Sequence, residues 1–316
     1  MIEFKNKYFP VLDHGFCAMV DYMGDDQAIV RAARCSYGAG TKSVSDDRGL
    51  IRTLMREVHT SPFEMCEVVL HVGLPIFVAR QWIRHRTASL NEYSGRYSVM
   101  PSLYYTPNDN RHQVQHAQNK QGSGPVCIDA DTQVTLSEQR DALRADATNH
   151  YHQCLEANLA RELSRIDLPL STYTYWYWKI DLKNLLHFLR LRLDQHAQWE
   201  IQQYAKVIAG LVSKWVPLTW EAFVDYQLCS ATFSRQELEI LKILFYAQEL
   251  DIGTLTEEYM FYVRSLCDKH GLTAREQSAF LDKIQCTPTF PANIVLDLTN
   301  AKTPEFYQNM INEGAV

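Results

Sequence analysis

Apolar and polar positions along the chain fall into stretches of two periods. Residues Asp25–Arg34 put Ile29, Val30 and Ala33 on one helical face, and Asp46–Val58 repeat Leu50, Leu54 and Val58 at intervals of four. Both predict short amphipathic helices, separated by a turn at Gly38-Ala39-Gly40-Thr41. The β-branched run Val68–Val72 predicts a strand, and Ser171–Ile180, rich in Thr, Tyr and Trp, predicts another. Pro75 suits the first position of a helix, where its missing N–H costs nothing. In that helix Arg80, Gln81 and Arg84, spaced by three and four, share a face. Asp181 reads as the N-cap of a long helix through Trp215, irregular near Asp194. Leu185, Phe188, Leu189, Arg192, His196, Trp199 and Gln203 recur along it at three-and-four spacing, which makes His196 a core histidine with satisfied partners.

Between these elements, residues 101–134 carry Pro107-Asn108-Asp109-Asn110 and Gln121-Gly122-Ser123-Gly124-Pro125, a polar insertion that is either a mobile surface loop or a lid. Thr135-x-x-Glu138 is a capping box that opens a helix to about Leu163. Three more capping boxes follow, Ser234…Glu237, Thr254…Glu257 and Thr273…Glu276. They mark residues 226–316 as a helical C-terminal extension without a catalytic motif, behind a main domain of residues 1–225. The expected fold class is α+β, with a central, mainly antiparallel sheet flanked by helices.

Composition narrows the function. With 46% hydrophobic and 22% charged residues, the chain is ordinary for a globular protein. A net charge of −6 argues against a general nucleic-acid binder, and no run of eighteen apolar residues predicts a membrane span. The first residues, Met1-Ile2-Glu3-Phe4-Lys5, lack the plan of a signal peptide. None of the 8 cysteines forms a Cys-x-x-Cys pair, and no Cys/His spacing suggests a metal. The expectation is a cytoplasmic protein with reduced thiols and no bound metal. No glycine-rich dinucleotide or phosphate-loop fingerprint is present.

Against that background Arg84-His85-Arg86-Thr87-Ala88-Ser89-Leu90-Asn91-Glu92-Tyr93-Ser94-Gly95-Arg96-Tyr97 stands out. Cations at the end of a helix complement its dipole for about 0.3–1 kcal/mol each. A helix stop needs only one Gly or Asn, however, not the Asn-Glu-x-Ser-Gly-Arg-Tyr that follows. Arginine grips phosphate bidentately, so this run reads as the site of a phosphorylated ligand.

The run resembles the signature of the flavin-dependent thymidylate synthases: Arg84-His85-Arg86, seven residues, then Ser94. His59-Thr60-Ser61-Pro62-Phe63-Glu64 and Pro75–Trp82 are similar to family blocks upstream. Arg165–Pro169, Leu191-Arg192 and His196–Ile201 are similar to blocks downstream, in the same order. The resemblance covers roughly residues 13 to 225.

The resemblance implies reductive methylation of dUMP to dTMP. The carbon comes from 5,10-methylenetetrahydrofolate, the reducing equivalents from NADPH, and FAD relays the hydride; the assembly is a homotetramer with shared sites. It assigns dUMP to Gln81, Arg84, Glu92, Ser94, Gly95, Arg96, Arg165 and Arg192. It assigns FAD to Ser36, His59, Ser61, Glu64, Arg84, His85, Arg86, Asn91, Glu92, Asp181, Lys183 and His187. The residues assigned to catalysis are Arg192, Ser94 and His59. Arg192 contacts the pyrimidine; for Ser94, dUMP binding is preferred to a nucleophilic role because no base is placed beside it. The family often carries Asn, Arg or His where this chain has Asp181 and Lys183. Two other readings stay open: a different flavin-dependent reaction on a uracil-containing substrate, and a nucleotide or nucleic-acid binder that keeps the basic pocket.

Overall fold

The computed structural model describes residues 3–35, 47–117, 121–246, 257–285 and 300–313. Two compact units form, Met1–Phe223 together with Ile294–Val316, and Val224–Asn293. The first begins with β1 (Tyr8–Val11), β2 (Gly15–Met23), α1 (Asp26–Arg34) and α2 (Asp47–Arg56). A 3₁₀ turn (Ser61–Met65), β3 (Glu67–Pro75), α3 (Ile76–Trp82) and β4 (Ser89–Glu92) follow. Next come β5 (Gln113–Gln115), β6 (Ser123–Cys127), α4 (Ala130–Glu156), α5 (Arg161–Ser164) and β7 (Tyr173–Asp181). The run closes with α6 (Leu182–Arg192), α7 (Trp199–Trp215) and α8 (Pro217–Phe223). The fold is α+β.

Five strands make one antiparallel sheet in the order β1-β2-β3-β7-β4. The central pair β3–β7 runs in unbroken register from Glu67↔Asp181 to Pro75↔Tyr173. One face presents Leu70, Val72, Trp176 and Trp178 to the helices. There Trp82 of α3 lies 4.8 Å from Phe188 of α6, 5.3 Å from Trp178 and 5.8 Å from Tyr204 of α7, ring centre to ring centre. Buried aromatics of this size contribute most of a core's apolar area. The other face carries Phe16, Ala18 and Tyr175, which are also buried. Because β2 is covered on both sides, Gly15–Met19 is buried without interruption and lacks the alternation that marks a half-exposed strand.

Several expectations are corrected in detail. Pro75 is the N-cap of α3 rather than its first residue. The helix expected from Thr135 starts at Ala130 and is capped by Asp129, whose Oδ1 accepts from the Thr132 amide at 2.9 Å. Asp129 lies six residues upstream and satisfies the free amides first, so Thr135 is interior and donates to the Asp131 carbonyl. That helix stops at Glu156, where Asn158 takes a positive φ of 58°, and α5 is separate. The long helix from Asp181 is two helices. It breaks at Leu193–Gln198, where Asp194 turns back to accept from the His196 amide at 2.8 Å and pairs with its ring at 2.9 Å. His196 is therefore exposed, not core. Part of the polar insertion is a hairpin, β5–β6.

The second unit is helical: a π-helical turn (Val224–Leu228), α9 (Arg235–Tyr246), α10 (Glu257–Lys269) and α11 (Ala274–Gln285). The Ser234…Glu237 and Thr273…Glu276 boxes both form, each with the amide of the first residue donating to the glutamate. The third, at Thr254, lies outside the described residues, as do the turn at Gly38–Thr41 and Cys286. Ile240, Leu244, Val263, Cys267 and Phe280 form the unit's own core. The chain then returns to the first unit as α12 (Pro304–Glu313). Lys302 bridges the backbone of Tyr8, and Tyr307 packs on Phe16 at 4.5 Å and on Tyr8 at 5.5 Å. The extension is thus divided: its last described helix belongs to the sheet's second face.

Candidate active site

Helix α6 is the spine of the site. Asp181 caps it, accepting from the Asn184 amide at 2.9 Å and from the Asn184 side chain at 2.6 Å, so both carboxylate oxygens are engaged. The Leu182 amide donates to the Cys66 carbonyl, which ties the start of α6 to the 3₁₀ turn carrying Ser61 and Glu64. His59, Ser61 and Glu64 are exposed. Halfway along α6, His187 faces His85 with ring centres 6.1 Å apart. At its C-terminal end sits Arg192, about 16 Å from Asp181 along an ideal helix.

Arg192 donates from Nε to His85 Nε2 at 3.1 Å and from Nη2 to the Gln81 carbonyl at 3.4 Å. Burial first, then the charge of Arg192 and proximity to His187, hold the His85 imidazole down to about 4. Burial also lowers the Arg192 guanidinium from its ordinary value. Arg84, Arg86, Arg165 and Arg192 take part in no ion pair among the described residues. A partly buried cation without a counter-charge is costly unless an anion joins it.

A second group is held by the turn after β4. Glu92 Oε1 accepts from Thr174 Oγ1 at 2.7 Å, and Asn91 pairs with Tyr177 across the strands. The amides of Tyr97 and Ser98 return to the Ser94 carbonyl, closing a tight turn, and Tyr93 Oη donates to the Val99 carbonyl. Gly95 is buried within it. A methyl group there would sit 2.7 Å from Met100 Sδ and 2.9 Å from Arg165 Cδ, so a glycine lets Arg165 close on the turn. Arg96 pairs with Glu162 at 2.9 Å on an open surface, a contact worth little and readily exchanged. Ser94 Oγ accepts from the Arg96 amide at 3.3 Å.

The structure thus gathers Gln81, His85, His187 and Arg192 in one cluster and Ser94, Gly95, Arg96 and Arg165 in another. Arg84 and Arg86 are exposed beside the first, and the 3₁₀ residues lie against α6. Ser36 lies outside the described residues.

Residues 18–218 match the family described as Thymidylate synthase complementing protein. The chain belongs to the flavin-dependent thymidylate synthase family. A relative with that name from Wolbachia pipientis wMel is 56% identical over 237 residues, covering 74% of this chain and 82% of the relative. Another from Ruegeria pomeroyi is 48% identical over 282 residues and covers 87% of each. Among solved structures, the UMP/dUMP methylase PolB from Streptomyces cacaoi, bound with 5-Br dUMP, superposes with a TM-score of 0.62 at 31% identity. That match covers 70% of this chain and 100% of PolB.

One feature of this family member was not legible in its motifs. Glu200 is 4% exposed and accepts from Tyr105, Arg111 and Gln198, linking residues of the 101–134 insertion to the neighbour of Gln81. The Gln198-Trp199-Glu200 run was the available signal, but its partners lie far away in sequence. Among the described residues no cluster of His, Cys, Asp and Glu could hold a metal, and no helix is long and apolar enough to cross a membrane. The seven described cysteines are free thiols.

Proposed function

We propose that this chain carries out the reductive methylation of dUMP to dTMP with a flavin. The observation that carries this reading is the set of unpaired arginines around Arg192 in a member of this family. Arg192 is partly buried and lacks a carboxylate, and an anionic nucleotide supplies the missing charge. In this reading the Ser94-Gly95-Arg96 turn and Arg165 grip the phosphate, and Glu92 and Gln81 orient the nucleotide. Arg192 stabilises negative charge on the pyrimidine as its C5 becomes nucleophilic. Ser94 binds rather than attacks, since among the described residues no histidine or carboxylate hydrogen-bonds its hydroxyl, which accepts from the Arg96 amide.

The donor set around α6 suits FAD. His85 and His187 give flat faces and ring donors, and Arg84 and Arg86 give unpaired charges for a pyrophosphate. Asn91, Glu92, Lys183, and the exposed His59, Ser61 and Glu64 extend the set. Asp181 is a helix cap with both oxygens occupied, which favours a supporting role over direct flavin contact. Bound FAD supplies hydride transfer, with NADPH as reductant and 5,10-methylenetetrahydrofolate as carbon donor. The balance is dUMP, methylenetetrahydrofolate, NADPH and a proton giving dTMP, tetrahydrofolate and NADP⁺. So many open site residues on one protomer fit a site completed by neighbouring subunits in a homotetramer.

The test is dTMP formation by purified protein with FAD, NADPH, methylenetetrahydrofolate and dUMP, omitting each in turn. Product that needs all four supports the reading, and product without flavin overturns it. Light scattering checks assembly: a fully active monomer refutes the shared site.

A further inference from the structure

A chain of polar contacts leads from the insertion into the nucleotide site, and its direction is fixed by chemistry. The Glu200 carboxylate is buried and can only accept. Its Oε1 takes Tyr105 Oη at 3.1 Å and Arg111 Nε and Nη2, each at 3.2 Å. Its Oε2 takes Gln198 Nε2 at 2.8 Å. Gln198 is thereby turned with its carboxamide oxygen outward, where Gln81 Nε2 donates to it. Gln81 is left with its own oxygen open; among the described residues no group donates to that atom. Flipping Gln198 would set its carboxamide oxygen against the buried Glu200 carboxylate, acceptor against acceptor, and flipping Gln81 would set two carboxamide oxygens against each other at a more exposed contact.

We propose that Glu200 and Gln198 are positioning residues that aim the Gln81 carboxamide oxygen at an N–H or O–H donor of the bound nucleotide, with Arg111 of the insertion locking Glu200. This rests on the reading above that Gln81 meets dUMP. Arg111 is suited to the task because it is held on three sides. It bonds Gln113 of β5 through Nη1 at 2.7 Å, pairs with Glu200, and stacks over Trp199 at 4.9 Å. The part of the insertion that carries Tyr105 and Arg111 is then a brace for the substrate site. Gln81 stands beside Arg192 because Arg192 bonds its carbonyl, so an acceptor and a cation face the ligand together.

A double-mutant cycle on flavin-loaded protein, read by calorimetric titration with dUMP, tests this. Gln81→Met and Gln198→Met each weaken dUMP binding by about tenfold, and the double variant is no weaker than Gln81→Met alone. Gln202→Ala is the structural control: its amide bonds the Ala197 carbonyl in the same turn at 2.7 Å without touching the relay. It lowers the melting temperature and leaves dUMP affinity unchanged. If Gln198→Met loses its melting transition, the cycle is run with Glu200→Gln. Unchanged affinity in Gln198→Met, or losses that multiply in the double variant, overturns the relay while Gln81→Met still reports a nucleotide contact. Unchanged affinity in Gln81→Met removes Gln81 from the site and overturns the relay with it. Neither result touches the four-component assay, which judges the reaction separately.

Discussion

Arg192 meets His85 nitrogen to nitrogen, Nε to Nε2 at 3.1 Å. A guanidinium has no lone pair to offer, so His85 must be the acceptor. The imidazole is therefore neutral, with its proton on Nδ1. This agrees with a histidine held down to about 4. The ring thus fixes the guanidinium plane without adding a second positive charge. Arg192→Lys removes the Nε donor and the planar fork. We expect kcat/KM to fall by about 10²–10³ with folding intact, measured by initial rates and thermal melts. A loss under threefold would remove Arg192 from the charge-stabilising role.

Gly95 and Arg165 form a geometric pair. Gly95→Ala forces a methyl into Met100 and Arg165, so Arg165 must retreat from the Ser94–Arg96 turn proposed to hold the phosphate. The expected result is dUMP binding about tenfold weaker, with flavin content unchanged. Ser94→Ala removes one hydroxyl and weakens binding about two- to tenfold, while dTMP still forms. Complete loss of product in Ser94→Ala at saturating dUMP would instead indicate a nucleophile.

His71 and His85 are both held down to about 4, His71 by burial and His85 mainly so. Unfolded histidine titrates near 6.5, so between about pH 6.5 and 4 the unfolded chain binds more protons. Stability is therefore complete above that window and declines as pH falls through it. Tyr8 Oη lies 2.8 Å from His71 Nδ1, and the ring stacks on Tyr177 at 4.5 Å. His71→Asn keeps an acceptor near Nδ1 but cannot titrate. Urea melts from pH 7 to pH 4.5 should show the variant losing less stability than the parent, by roughly 1–2 kcal/mol after allowing for partial exposure. Parallel curves would count against the buried neutral histidine.

Tyr307 covers Phe16 and Tyr8 on the sheet's second face. Tyr307→Ala should cost about 2–4 kcal/mol by denaturant melts. Truncation before residue 300 should do at least as much harm. Excising 224–293 while keeping 300–313 should spare the sheet. A truncated chain with the parent's stability would show that α12 is dispensable.

Much of this was legible where sequence and contacts are local. Asp181 as a cap, the strand at Tyr173–Asp181 and the capping boxes at Ser234 and Thr273 rest on residues within one turn of each other. The strand β2 was not legible because burial on both faces erased its alternation. His196 was misplaced because a helical stripe was carried through a turn that Asp194 creates. In the site, the arginine run pointed to an anion through its composition. The tie from Arg111 to Glu200 joins residues 89 positions apart and left no periodic trace.

The late return of α12 also sets an order of events during synthesis. Phe16 leaves the ribosome about 290 residues before Tyr307, which at roughly 5–20 residues per second is about 15–60 s. Throughout that interval the second face of the sheet, with Tyr8, Phe16 and Tyr175, has no α12 to cover it. A nascent chain stalled before residue 300 should therefore bind chaperones and apolar dyes more than one released at full length, and the sheet should be the last part to become protease-resistant.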